Sequence, residues 1–197
     1  VGVRIESLKR ADIHTDVMVQ VGSLFHDGFG DKRCCLCLSE SESELIAKAR
    51  AAYANWPDSK LEGCGVAYDS EGKALGLAQL GFHDTPGDWE LGSLASKPKP
   101  GSCHLERIVV GKEVRGKGVG KKLLKWVDNK AREKGCSVVL LEVVSGNRAK
   151  GLYEKSGYVS LTTSLGKCLV CPLSFCLMRR LYYEVMVKKL ELTNETD

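Results

Sequence analysis

The sequence predicts an α/β domain of the α+β kind, with one sheet of about six to seven strands flanked by about four helices. Three observations carry this. "GCGVAYDSEGKALGLAQLGF", residues 63–82, reads as a hairpin: two apolar runs joined by Asp69-Ser70-Glu71-Gly72, a turn whose glycine adopts positive φ cheaply. "SVVLLEVV", residues 137–144, is almost continuously apolar, as a strand buried on both faces would be. Between the strand candidates, apolar residues recur with helical spacing. With 197 residues, 43% hydrophobic and 27% charged, the chain can bury one core, so residues 1–190 are expected to form a single domain with 191–197 as a disordered tail.

"VGVRIESLKR" is the first strand, and "DIHTDVMVQVGSLFHDGF" has helical spacing through Val17, Val21, Leu24 and Phe25. In "SESELIAKARAAYANW", Ser41 and Glu44 form a capping box, and Leu45, Ile46, Ala49, Ala52, Tyr53 and Trp56 share one face. The hairpin follows, then a Gly/Pro/Ser-rich loop at 84–102 containing Trp89 and Glu90. "CHLERIVV", residues 103–110, is a strand leading into a glycine turn. The next helix carries Val119, Leu123, Leu124, Val127 and Ala131 on its inner face and ends at Gly135. After "SVVLLEVV", "NRAKGLYEKSG" is a short helix closed by Gly157, and "YVSLTT" and "YYEVMVKKL" are the last strands. The insertion at 164–181 fits no element by its pattern.

No window approaches the ~18 apolar residues of a membrane-spanning helix. The chain starts on strand-like "VRIESL" with no basic leader, and its nine cysteines lack the spacing of a secreted disulfide framework. They read as reduced thiols of an intracellular, cytoplasmic protein. Cys34 with Cys37 and Cys168 with Cys171 have zinc-ligand spacing, but their apolar flanks argue against a site, so no metal is expected. The formal charge of +4 is too small to argue nucleic-acid binding. Its distribution matters more: Lys112 to Lys134 holds nine basic residues against three acidic ones.

Gly116, Gly118 and Gly120 stand between a strand and a helix N-terminus, where backbone N–H groups and the helix dipole together suit a phosphate. Three kinds of cradle are testable. The pattern GxxxxGK[ST] is met from Gly111 to Lys117 but fails at Gly118, which lacks the magnesium-binding hydroxyl. The pattern GxGxxG fails because its third glycine falls on Lys121 or Leu123.

Arg115-Gly116-Lys117-Gly118-Val119-Gly120 fits [R/Q]-x-x-G-x-[G/A] residue by residue, after the strand "LERIVV" and before the helix "KKLLKWV". This resembles the acyl-CoA loop of the GNAT superfamily of N-acetyltransferases. "NRAKGLYEKSGYV", residues 147–159, is similar to that family's second motif, and the resemblance spans roughly residues 60–190. It implies the GNAT fold, with a mixed, mostly antiparallel sheet, and an acetyl-CoA-dependent enzyme that acetylates an amine acceptor by direct transfer. The loop residues Arg115, Gly116, Lys117, Gly118, Val119, Gly120 and Lys121 would hold the coenzyme's phosphates. The strand edge at Ile108, Val109 and Val110, with Asn147, would hold its pantetheine arm, as an added strand pairs with a sheet edge.

An acceptor amine with pKa near 10.4 is mostly protonated at neutral pH and needs a base. By resemblance to sugar-phosphate members of the family the base is Glu106; by resemblance to the histone-acetylating branch it is His104. Alternation puts both on one face of the strand. Glu106 also reads as a structural ion-pair partner. Tyr153 stands where the family has the tyrosine that protonates the leaving thiolate, and a backbone N–H of Ile108 or Val109 would hold the oxyanion. Cys103 neighbours His104 but points to the opposite face, so no Cys-His dyad is expected. Two rival readings remain: a non-catalytic acyl-CoA-binding module, and an interaction domain using the basic helix. The acceptor is open among amino sugar phosphates, small amines and protein amines, and an exposed sheet edge or the apolar insertion would suit a homodimer.

Overall fold

In the computed structural model, residues 2–29, 41–87, 97–144, 146–161 and 183–191 are described. Both cysteine pairs with zinc-ligand spacing, Trp89, Glu90, the 164–181 insertion and the tail from 192 onward lie outside these residues.

The elements run β1 (Arg4–Ser7), a 3₁₀ turn (Arg10–His14), α1 (Asp16–Phe29), α2 (Glu42–Ala54), α3 (Asp58–Glu62), β2 (Cys64–Tyr68), β3 (Ala74–Phe82), β4 (Ser102–Val110), a 3₁₀ turn (Lys112–Val114), α4 (Val119–Glu133), β5 (Val138–Val144), α5 (Ala149–Lys155), β6 (Val159–Ser160) and β7 (Tyr183–Lys189). The seven strands form one sheet in the order β1-β2-β3-β4-β5-β7-β6. Only β4 and β5 run parallel, because α4 carries the chain across the sheet between them; the other neighbours are antiparallel.

Local chemistry sets the ends. The Ser41 hydroxyl accepts the Glu44 N–H at 3.3 Å while the Glu44 carboxylate accepts the Ser41 N–H at 2.7 Å, the reciprocal cap that the sequence implied. The β2–β3 turn is fastened by Asp69, whose carboxylate accepts the N–H groups of Glu71 and Lys73, both at 2.9 Å. At the end of α4 the Cys136 N–H reaches back to the Ala131 carbonyl at 2.8 Å, with Gly135 in the left-handed region.

Two apolar layers sandwich the sheet. On one face Val119, Leu123, Leu124, Val127 and Ala131 of α4 and Tyr153 of α5 pack on Cys103, Leu105, Val139, Leu141 and Val143. On the other, Met18, Val21 and Leu24 of α1, Ala49 and Tyr53 of α2 and Leu61 of α3 pack on Val66, Leu77 and Val109. Each fully buried leucine contributes about 2 kcal/mol by transfer from water.

One further short helix, α3, forms in the polar stretch after Pro57, too brief for a periodicity signal. Two expectations need correction. Ala52 is exposed, since α2 meets the core along the narrow stripe of Ala49 and Tyr53. β5 is buried on one face only: Val139, Leu141 and Val143 are covered, whereas Leu140 and Glu142 are half-buried.

Candidate active site

β4 and β5 share three rungs, Ser102 with Val138, Cys103 with Val139 and His104 with Leu140. Beyond His104 they part, and β4 continues to Val110 paired with β3 alone. A bulge accompanies the parting. Gln79 faces Arg107 and Leu80 faces Leu105, so Glu106 stands opposite no residue of β3. The result is a wedge-shaped gap with the free edge of Arg107 to Val110 on one side.

The glycine turn closes the far end of that edge. Gly116 and Gly118 have φ of 78° and 85°, and Gly118 directly precedes α4. The first bond of the helix is Lys122 N–H to the Gly118 carbonyl at 3.1 Å, so the N–H groups of Val119, Gly120 and Lys121 have no acceptor within α4. The first turn holds no acidic residue. A Cβ built on Gly116 or Gly118 would meet nothing within 4 Å. These glycines therefore answer to backbone conformation and to open space above the turn, not to crowding. Gly120 differs, since its Cβ would lie 2.9 Å from a methyl of Leu152 in α5.

The predicted loop residues divide by what they offer. Lys117 and Lys121 have exposed side chains, whereas Val119 is buried and can contribute its backbone only. Arg115 ties the loop down: Nε donates to the Val110 carbonyl at 3.0 Å and Nη2 to the Asp27 carbonyl at 3.2 Å. On β4, Val109 packs inward while Ile108 and Val110 are half-buried. Asn147 caps α5, its Oδ1 accepting the Ala149 N–H at 3.0 Å.

At the apex of the gap, His104 Nε2 lies 2.5 Å from Glu142 Oε2. The His104 side chain is 5% exposed and that of Glu142 24%. With Nε2–H donating to the carboxylate, Nδ1 carries the ring's lone pair, and this buried nitrogen has no hydrogen-bond partner. Cys103, on the opposite face, lies in the layer under α4. The hydrogen bond that it shares with the Cys136 thiol, with burial, pushes its own thiol up, and the same bond holds Cys136 down against the opposing effect of burial.

Glu106 projects from the same face as His104. Both carboxylate oxygens lie 2.6 Å from Lys60 Nζ, and Gln79 Nε2 donates to one of them. Neither member of the ion pair reaches solvent, the side chains being 1% and 0% exposed. Tyr53 Oη and Arg107 Nη1 both donate to Gln79 Oε1 at 3.2 Å, extending the network across the sheet. Burial raises the Tyr53 hydroxyl well above the ordinary tyrosine range.

Tyr153 packs in the layer on the α4 side of the sheet, its ring 6.0 Å from that of Tyr158 in an edge-on arrangement. It is 6% exposed, and burial pushes its pKa up to about 12. A cavity of about 80 Å³ bounded by Phe82, His83, Gly101 and Cys136 lies at the opposite end of β4, remote from the glycine turn. Among the described residues no group of three or more His, Cys, Asp or Glu could hold a metal ion, and no helix is long and apolar enough to cross a membrane.

Sequence reasoning missed Glu142 and Lys60. A lone acid inside "SVVLLEVV" was a usable signal for the first. Nothing in "PDSKLEG" marks Lys60, whose role exists only once α3 is packed on β2 and β3 and its side chain reaches Glu106.

Comparison with known proteins agrees with this geometry. The model of the Acetyltransferase (GNAT) family matches residues 21–158. A thialysine N-epsilon-acetyltransferase of Bos taurus is 42% identical over 66 residues, covering 33% of this chain and 39% of that protein. The chain thus matches about two fifths of the length of this relative. The ribosomal-protein-S18-alanine N-acetyltransferase of Escherichia coli superposes with a TM-score of 0.59 at 16% identity, over 99% of this chain and 98% of that one. A PaiA N-acetyltransferase of Thermoplasma acidophilum in complex with coenzyme A gives 0.62 at 15% identity, over 96% and 99%. Such identities show a shared fold. The family match covers most of the chain and takes in the wedge and the glycine turn, and the protein belongs to the GNAT family of acetyltransferases.

Proposed function

We propose that the protein transfers an acetyl group from acetyl-CoA directly to a primary amine. The observation that carries this reading is the wedge between β4 and β5, open along Arg107 to Val110 and ending at the cradle of Gly116 to Gly120. The unpaired strand edge suits the amides of a pantetheine arm, and the orphan N–H groups with Lys117 and Lys121 suit its phosphates. The coenzyme A bound to the Thermoplasma acidophilum enzyme of the same fold supports this assignment.

Acetyl-CoA supplies an activated acyl group; the chain supplies proton handling and position. His104 Nδ1 takes the proton of the incoming ammonium, and Glu142, bonded to Nε2, fixes the ring and passes charge toward solvent. Tyr153 keeps its proton far above neutral pH and can give it to the leaving thiolate. A backbone N–H of Ile108 or Val109 faces the developing oxyanion. Glu106 is the second proton acceptor of the site, at present engaged by Lys60.

The name of the Bos taurus relative places an acetyl group on an ε-nitrogen, so lysine-like amines head the acceptors to be tried. The test is incubation with acetyl-CoA and pooled lysine analogues, polyamines, amino sugars and peptides, followed by mass detection of acetylated product; nine cysteines would confuse a thiol reagent. A product that disappears in Tyr153→Phe confirms the reading. Tight acetyl-CoA binding with no product from any amine would instead fit a binding module.

A further inference from the structure

Cys103 and Cys136 form a pair that the transfer chemistry above does not use. Both are buried in the layer under α4, and their thiols share a hydrogen bond. Cys64, the other cysteine among the described residues, lies in the opposite layer. Cys136 follows the left-handed Gly135 at the end of α4, and the Ser137 N–H donates to the Gly101 carbonyl at 2.9 Å, which sets this turn beside the start of β4. The cavity of about 80 Å³ at that end of β4 reaches Cys136: Phe82, Thr85 and Cys136 are its buried wall, whereas His83, Asp84 and Lys134 are exposed on its rim. With about 30 Å³ per molecule of liquid water, it admits a solute the size of a small peroxide. The bond donated by Cys103 favours the Cys136 thiolate, the nucleophilic form of a thiol. Cys103 immediately precedes His104, and the two occupy the last rungs that β4 shares with β5.

We infer that Cys103 and Cys136 are a peroxide-sensitive dithiol whose closure to a disulfide displaces His104 and switches the site off. Only the loss of turnover rests on the acetyl-transfer reading above. Cys136 Sγ attacks a hydroperoxide that enters the cavity: the S–O bond forms, the O–O bond breaks, and the alkoxide departs with the Cys136 proton as an alcohol, or as water when the oxidant is hydrogen peroxide. Cys103 Sγ then attacks the sulfenic sulfur: the S–S bond forms, the S–O bond breaks, and the hydroxyl leaves with the Cys103 proton as water. The two sulfurs lose two electrons and the peroxide oxygens gain them. Closing from hydrogen-bond contact to a bond of about 2 Å pulls on β4 one residue before His104. The His104 ring is held by Glu142 of β5, so its place depends on the register of the two strands at this rung. A displacement of about 1 Å at a reacting group costs on the order of 10²-fold in rate.

The test treats the protein with hydrogen peroxide, quenches it into denaturant with an alkylating reagent, and maps the linked peptides by mass without reduction. The expected result is a Cys103–Cys136 crosslink, two hydrogens lighter than the dithiol and reversed by dithiothreitol. Cys103→Ala removes the resolving thiol, so Cys136 should be caught there as a sulfenic acid by dimedone in the quench. The His104 imidazole signal in the NMR spectrum, assigned by its loss in His104→Gln, should move on oxidation and return with dithiothreitol. Turnover of the wild type should fall at least roughly tenfold over the same cycle, while Cys136→Ala keeps its rate. Oxidation confined to the other cysteines, with Cys103 and Cys136 recovered as thiols, overturns the inference. A crosslink that leaves the His104 signal in place overturns the switch, as does equal inactivation of Cys136→Ala. Untreated protein that acetylates no amine removes the acetyl-transfer reading instead, and the crosslink with the His104 signal still decides this inference.

Discussion

His104 and Glu142 meet, Nε2 to Oε2 at 2.5 Å, at the last rung before β4 and β5 part. The contact joins the two strands where the wedge begins, and it leaves His104 Nδ1 buried without a partner. Glu142→Gln keeps a hydrogen-bond acceptor but removes the charge that balances an imidazolium. The turnover number should fall roughly 10²-fold, within the span of general acid–base contributions, with acetyl-CoA affinity unchanged. Steady-state kinetics beside calorimetric binding checks this; an equal loss in both would make the pair a purely structural brace.

The glycine turn separates conformation from contact. Gly118→Ala forces a Cβ into a backbone at φ 85°, at a cost of about 1 to 2 kcal/mol, and pushes a methyl into the space above the turn. Acetyl-CoA binding should weaken at least tenfold. Gly120→Ala has an ordinary helical backbone and meets the flexible end of the Leu152 side chain closely and Val110 at ordinary contact, so stability should change by less than about 1 kcal/mol. Thermal melts and binding titrations of the two variants distinguish them. Equal effects would refute the view that Gly118 is selected by its φ.

How much of this was legible follows from the range of each interaction. The hairpin turn at Asp69, the capping box of Ser41 and Glu44 and the inner face of α4 rest on residues within a few positions of one another, and the pattern revealed them. The glycine turn was legible for the same reason. The bulge at Glu106 was not, because register is a relation between β3 and β4 and neither strand shows it alone. Lys60 is 46 positions from Glu106, and Glu142 is 38 from His104; pairings at such separations exist only in the folded sheet. Arg115 was expected beside phosphate, yet its Nε and Nη2 hold the loop to β4 and α1, a use that the motif does not reveal.

The Lys60–Glu106 pair should show strong coupling. Removing one member leaves the other charged and buried, so Lys60→Met and Glu106→Gln are each expected to cost about 3 to 5 kcal/mol. The double variant should cost far less than the sum, because no charge is then stranded. Urea unfolding of the four proteins closes the cycle. Simple additivity would mean that the pair does not hold together in solution.

Tyr153 allows a pH argument with a definite sign. Its folded pKa is raised to about 12 from an ordinary value of 10, with burial as the cause. Below pH 10 the hydroxyl is protonated in both the folded and the unfolded chain, so its contribution to stability is fully present. Between pH 10 and about 12 the unfolded chain loses the proton first, and stability falls by an amount on the order of 2 to 3 kcal/mol. Tyr153→Phe should therefore flatten part of the alkaline decline seen in unfolding experiments, the rest being shared by Tyr53, Tyr68, Tyr158 and the buried thiols of Cys64 and Cys103, all of which are also raised. The same shift bears on catalysis. An acid that stays protonated to about pH 12 cannot cause a loss of turnover between pH 8 and 10, so an alkaline limb in that range should survive in Tyr153→Phe at its lower overall rate. A limb that vanished with the hydroxyl would show that Tyr153 ionises far more easily than its burial allows.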